Sequence, residues 1–429
     1  MKKKSNILRL VIAGLGIGLI AGIGVIGVNA YQRMQYATHT KGPLEPLTNE
    51  QKIQDFEFLY KTVVENYPFL EVNKRTTGVD WVANKELYLE RIQKAHFESV
   101  LGAIIGDLNN RHTVLLDEYQ AGLWRDSYWE SKETGYWSAM YFDVLNHPKA
   151  LQRYNLETYK EQEADKVKEN HQQSSSNASV KDIIEGKVAS IHISSLMITE
   201  NQFQEDQDLI KEYLNKIKEY QAIVIDIRGN TGGSTSYWMN FLLPQIISTE
   251  YEVAHYSFFK DGDITKEYFK AKDAKPLKVK NLDKLALPNL PSEVREEFSY
   301  YTPIHLKVSP SEDSIKFKGK VYLLVDEEVY SSSEMLATFT KESELATLIG
   351  SKTAGDGIGS DPAFFMLPNS GYVIRMSKEL GTTSDGTCNE EHKTTPDYIV
   401  EDTSRTENPL EDRCIQKVLE LEGLTHLAN

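Results

Sequence analysis

Apolar and polar positions follow three rhythms along the chain. The first rhythm is continuous. From Leu10 to Val28 the run LVIAGLGIGLIAGIGVIGV carries no charge and follows the basic start MKKKSNILR. A run of this length spans a bilayer as a helix, and lysines before it leave the rest of the chain outside. Residues 10–30 therefore read as a transmembrane anchor behind a basic cytoplasmic segment, 1–9. Cleavage of a signal peptide after VNA at 28–30 is the alternative. Residues 31–47 hold two prolines and a glycine and read as a linker.

The second rhythm is helical. After a cap at Thr48 or Asn49, Phe56, Leu59, Tyr60 and Val63 recur on one helix face until Pro68. Two further stretches continue the pattern, which predicts a helical domain over 48–118. Residues 119–183 begin with Trp124, Tyr128, Trp129, Tyr136, Trp137 and Tyr141 and end in a polar, biased tail. They read as a helical insertion followed by a flexible loop, the aromatic part being expected to cover or line a cleft.

The third rhythm starts near 184. KVASIHISSL (187–196) alternates like a strand, and AIVIDIRG (222–229), KVYLLVDE (320–327) and ATLIGSKTAG (346–355) read as buried strands. Helices are predicted between them at about 201–219, 234–248 and 332–344. Strands alternating with helices imply an α/β layered domain over 184–429. Residues 270–318 look like an excursion from it, and LEDRCIQKVLELEGL closes the chain as a helix.

Composition adds exclusions. With a net charge of −15 and no basic patch outside the N-terminus, a nucleic-acid partner is not expected. Cys388 and Cys414 are the two cysteines; outside the cell they could pair or stay free. No HExxH or clustered His/Cys set calls for a metal, and neither a GxGxxG fingerprint nor a phosphate loop calls for a nucleotide. No cofactor is expected.

Four stretches carry candidate chemistry. In VDEEVYSSSEMLATF (325–339), Ser331-x-x-Glu334 matches a capping box, and the same serines could hold a nucleophile. In VIDIRGNTGGSTSYW (224–238) a buried strand runs into Gly232-Gly233, whose amides could cradle an oxyanion. GDLNNRHTVLL (106–116) places His112 just beyond a helix. GTCNEEHKTTPDYIV (386–400) sets Glu390 and Glu391 side by side.

Taken together, these stretches resemble the S41 serine peptidases, which include the C-terminal processing peptidases and the tricorn core peptidase. DIRGNTGGS resembles the Asp-x-Arg-x-Asn-x-Gly-Gly turn of that family. VYLLVDEEVYSSSEMLA resembles its strand, Ser-x-Ser-Glu and helix, and EEHKTTPDYIV its Glu…Pro-Asp-x-x-Val ending. FEFLYKTVVENYPFLE and IIGDLNNRHTVL resemble its N-terminal helices and Asp-Gly-His-Thr segment. The resemblance implies a ClpP/crotonase-like layered core behind the helical domain and a peptide or protein substrate. It further implies Ser331 as nucleophile, with the amides of Ser332 and of Gly232 or Gly233 as oxyanion hole.

The chain departs from the family at one informative place. Where the processing peptidases carry their lysine base, this chain has Asp356, and Lys352 stands out of register. The tricorn-like branch uses a histidine and a glutamate instead, which implies His112 as base and Glu390, or Glu391, as its orienting acid. No Gly-Leu-Gly-type carboxylate loop of a PDZ domain occurs in 119–186. The expectation is a membrane-anchored, extracytoplasmic serine peptidase working through Ser331, His112 and Glu390. The rival is a non-catalytic binder of peptide or hydrophobic ligand on the same scaffold, as in the interphotoreceptor retinoid-binding proteins.

Overall fold

The computed structural model describes residues 46–156 and 177–427. The anchor at 10–30 and most of the polar loop lie outside the described residues. Among the described residues, no helix is long and apolar enough to cross a membrane.

The helical part begins where the capping signal stands. Thr48 accepts from the Gln51 amide and Gln51 answers with its side chain, opening α1 (Asn49–Asn66). Phe56, Leu59 and Val63 form its buried stripe. Helices α2 (Leu70–Thr77), α3 (Lys85–Lys94) and α4 (Phe97–Gly106) follow. The aromatic stretch folds into four short helices, α5 (Glu118–Ser127), α6 (Trp129–Thr134), α7 (Ala139–Leu145) and α8 (Pro148–Arg153).

A six-stranded sheet forms the centre of the second part. Its order is β13 (Tyr398–Ile399), β9 (Thr347–Gly350), β8 (Lys320–Val325), β4 (Ala222–Asp226), β3 (Val188–Ile193) and β2 (Ala178–Ile184). All neighbours run parallel except β2, which pairs antiparallel at the edge. The strict period of two sorts its side chains. Ile223, Ile225, Leu323 and Val325 face one apolar layer under α9 (Glu200–Lys216) and α10 (Ser332–Glu342). Val224, Tyr322 and Leu324 face the other, covered by Ile415, Val418 and Leu419 of α11 (Arg413–Leu421). Cys388 and Cys414 are buried and unpaired, in different apolar clusters.

Three features depart from the expected layout. β2 starts inside the stretch assigned to insertion and loop and ends at Ile184, just beyond it. The supposed excursion at 270–318 contributes β7 (Tyr300–Val308), which pairs along its length with β5 (Tyr251–Phe259) in a second, antiparallel sheet. The helical part also does not stand apart: β1 (Val114–Leu115) pairs with β11 (Val373–Met376) of the hairpin it forms with β10 (Ala363–Met366). One apolar cluster joins Phe56, Leu59, Ile104 and Tyr141 to Phe258, Phe364 and Ile374. Burial of that shared surface, not a linker, sets where His112 sits.

Candidate active site

Ser331 occupies the turn from β8 into α10 with φ 57° and ψ −127°. Side chains seldom take this conformation. It throws the hydroxyl forward of the helix, as strained strand-to-helix turns do at nucleophilic serines. The expected capping box is therefore not formed. A cap needs extended backbone, and Ser331 makes no side-chain cap bond. Glu334 turns inward instead and accepts from Asn389 Nδ2 and Thr394 Oγ1, each at 2.7 Å. The other two serines are tied down: Ser332 Oγ accepts from Trp238 Nε1 at 3.1 Å, and Ser333 Oγ donates to Asn230 Oδ1 at 2.7 Å.

His112 comes from the turn between α4 and β1. Asn110 shapes that turn with its own side chain: its Oδ1 accepts from the His112 amide at 3.1 Å, from Thr113 Oγ1 at 2.8 Å and from Ser377 Oγ at 3.2 Å. Thus held, His112 Nε2 lies 3.0 Å from Ser331 Oγ, and Nδ1 lies 2.9 Å from Asp356 Oδ2. The Tyr330 ring packs on the imidazole with centroids 4.5 Å apart.

The carboxylate against His112 is thus Asp356, not Glu390 or Glu391. Asp356 Oδ2 also accepts from Asn110 Nδ2 and Ser377 Oγ, each at 2.8 Å, and from Tyr330 OH at 3.3 Å. Glu390 stands behind, sharing the Asn110 amide at 3.1 Å, and its buried Oε2 has no partner. Glu391 is turned away into an ion pair with Arg75. The reason is reach: Asp356 follows Gly355 in the loop after β9 and arrives beside Nδ1 directly, whereas Glu390 meets the same network only through Asn110.

Electrostatics separates the two acids. Burial pushes Asp356 up, but His112 and its hydrogen bonds carry it below the ordinary carboxylate value. Burial, then the charge of Asp356, pushes Glu390 well above it. Of the two, Asp356 gives up its proton more readily and Glu390 holds its proton longer. An ionised Asp356 only accepts, so Nδ1 carries the imidazole proton and Nε2 presents its lone pair to Ser331. Burial lowers His112, against the pull of Asp356, so the ring is neutral at neutral pH.

The glycine turn lies over the start of α10. A Cβ on Gly232 would stand 2.8 Å from that of Ser331 and 3.0 Å from the Ser332 amide. Of the two expected glycine donors, Gly232 is occupied: its N–H donates to Asn230 Oδ1 at 3.0 Å. Among the described residues no acceptor takes the Gly233 or Ser332 amide. Those two are the free donors, and the helix N-terminus favours negative charge at the second. Among the described residues no group of His, Cys, Asp and Glu is gathered as for a metal ion.

Sequence reasoning named Asp356 only as the wrong residue for a lysine, and overlooked Asn110 and Ser377. The signal for Asp356 was present: a position from which a lysine reaches the serine is one from which a carboxylate reaches its base.

Residues 187–400 match the family model of peptidase family S41. No curated protein matches the sequence. Among solved structures, mature CPAF is similar over 88% of this chain and 97% of its own, with 14% identity and a TM-score of 0.54. A candidate peptidase from Parabacteroides merdae ATCC 43184 is similar over 86% of this chain and 96% of its own, with 18% identity and a TM-score of 0.53. At these identities the likeness is one of fold. The family match spans Ser331, Asp356 and the glycine turn and stops short of His112, which the helical part supplies. By that match the chain belongs to peptidase family S41.

Proposed function

We propose that this chain is a serine peptidase in which Ser331, His112 and Asp356 act together, held at the cell surface by residues 10–30 with the catalytic part outside the cytoplasm. The carrying observation is the relay of contacts, Ser331 Oγ to His112 Nε2 at 3.0 Å and His112 Nδ1 to Asp356 at 2.9 Å. In this reading Ser331 Oγ attacks the scissile carbonyl as its proton passes to Nε2. Asp356 stabilises the imidazolium without taking the proton. The Gly233 and Ser332 amides hold the oxyanion. The imidazolium then gives its proton to the leaving amine, and water repeats the sequence on the acyl-serine to release the acid. Supporting the reading are the S41 match, the strained backbone at Ser331 and the lowered His112, which keeps its base form ready.

The test is fluorophosphonate labelling of the chain from residue 46 onward, with the modified residue mapped by mass spectrometry. Labelling is expected at Ser331 and lost in Ser331→Ala and His112→Ala. A folded wild type that resists the reagent sinks the reading and favours the non-catalytic binder.

A further inference from the structure

Near His112 stands a half-buried arginine with no hydrogen-bond or ion-pair partner among the described residues. Arg375 sits in β11 opposite Val114, two residues beyond His112. Its guanidinium stacks over the Trp124 ring at 4.6 Å from the centroid. Its Nε is buried without a hydrogen bond, and no carboxylate among the described residues lies within ion-pair distance. Arg228, which is deeply buried, behaves differently: it is held by both Asp226 and Asp412 and by the Thr403 carbonyl. A guanidinium half out of water without a counter-charge is costly, and its planar fork matches a carboxylate in two parallel hydrogen bonds. The pairing with Val114 sets Arg375 beside the segment that carries His112, and its positive charge opposes protonation of that ring. Asp361 is the remaining acid whose charge reaches it, and burial raises that carboxyl above its ordinary value.

We propose that Arg375, stacked on Trp124, is the subsite that receives a carboxylate of the bound peptide next to the scissile bond. The inference rests on the peptidase reading for its substrate and names what that substrate carries. The carboxylate is either an Asp or Glu side chain or the end of the peptide chain.

The test uses the chain from residue 46 onward, wild type and Arg375→Gln, on a proteome-derived peptide library with cleavage sites read by mass spectrometry. Wild type is expected to cut at a fixed spacing from a carboxylate, on the order of tenfold or more over the amide counterpart. Arg375→Gln is expected to bring that ratio near one. A fixed Asp or Glu position identifies a side chain. A fixed distance from the peptide end, lost when the ends are amides, identifies the chain terminus. Arg375→Lys keeps the charge without the fork and should retain part of the preference; it serves if circular dichroism shows the glutamine variant unfolded. Cleavage without carboxylate spacing, or a preference that survives in Arg375→Gln, overturns the inference.

Binding is read apart from turnover. N-acetylglutamate should shift the Trp124 indole resonance of the 15N-labelled protein, assigned through Trp124→Phe, while N-acetylglutamine should not. Arg375→Gln should abolish the shift. An unmoved resonance overturns the carboxylate site whatever the labelling of Ser331 yields. A shift in a protein whose Ser331 resists fluorophosphonate keeps the site and discards the peptidase reading.

Discussion

Ser331 is held at φ 57°, a conformation that costs an L-residue about 1–3 kcal/mol. Glycine adopts it freely. Ser331→Gly is therefore expected to be inactive yet more stable than Ser331→Ala by about 1 kcal/mol in urea unfolding, and equal stabilities would remove the strain from the account. The two acids make a second contrast. Asp356→Asn should lower kcat on the order of 10³-fold or more, because the imidazole loses the partner that fixes its tautomer. Glu390→Gln should leave kcat within about tenfold, since it holds no catalytic atom directly; a loss as large as that of Asp356→Asn would return the orienting role to Glu390. Stability gives an independent reading. A raised Glu390 contributes stability fully present below the ordinary value of 4.5 and lost as pH climbs through the raised one. The melting temperature of Glu390→Gln relative to wild type should thus rise from pH 4 to pH 8. His112, lowered from 6.5, should put the acid limb of kcat/KM below pH 6.5; a limb above it would contradict the buried neutral ring.

At the scale of elements, two turns face each other, and the glycine turn has no room for a side chain. Gly233 has φ 138°, and a Cβ there would lie 2.0 Å from the Leu196 carbonyl carbon. Gly233→Ala must displace backbone that carries the Leu196–Ser234 hydrogen bond. A loss of about 2–4 kcal/mol is expected, and an alanine variant as stable as wild type by thermal melting would mean that the turn sits further from the Leu196 backbone. Both turns were legible in the sequence, since strand, glycines and helix follow each other locally. The capping box was legible too and misleading: Ser-x-x-Glu is a local pattern, but the turn angle that Ser331 must take to meet His112 overrode it. β5 and β7 were missed because their faces are only partly buried and their partners are distant in the chain; β10 and β11 are mostly buried but only 4 residues long each, too short to show a period.

At the scale of the molecule, the helical part and the sheet part are one object built around a shared apolar cluster. The first supplies His112 and Asn110, the second Ser331 and Asp356. Residues 177–427 alone would expose Phe258, Phe364 and Ile374, buried against the helices in the intact chain. That fragment is expected to associate by light scattering and to resist fluorophosphonate. A monodisperse fragment labelled at Ser331 would show that the helical part is dispensable.

The sequence by itself determined what depends on neighbours along the chain: the helical start at Thr48, the parallel strands and their two faces, the glycine turn, and Ser331 and His112 as candidates through their family context. Tertiary structure alone decided which groups meet. Ser331 is 219 residues from His112, and His112 is 244 from Asp356. The choice between Asp356 and Glu390 turns on a few ångströms set by how the loop after β9 packs against the Asn110 turn. Periodicity and motif report the local backbone. They carry no information on that distance, which the burial of the shared core fixes.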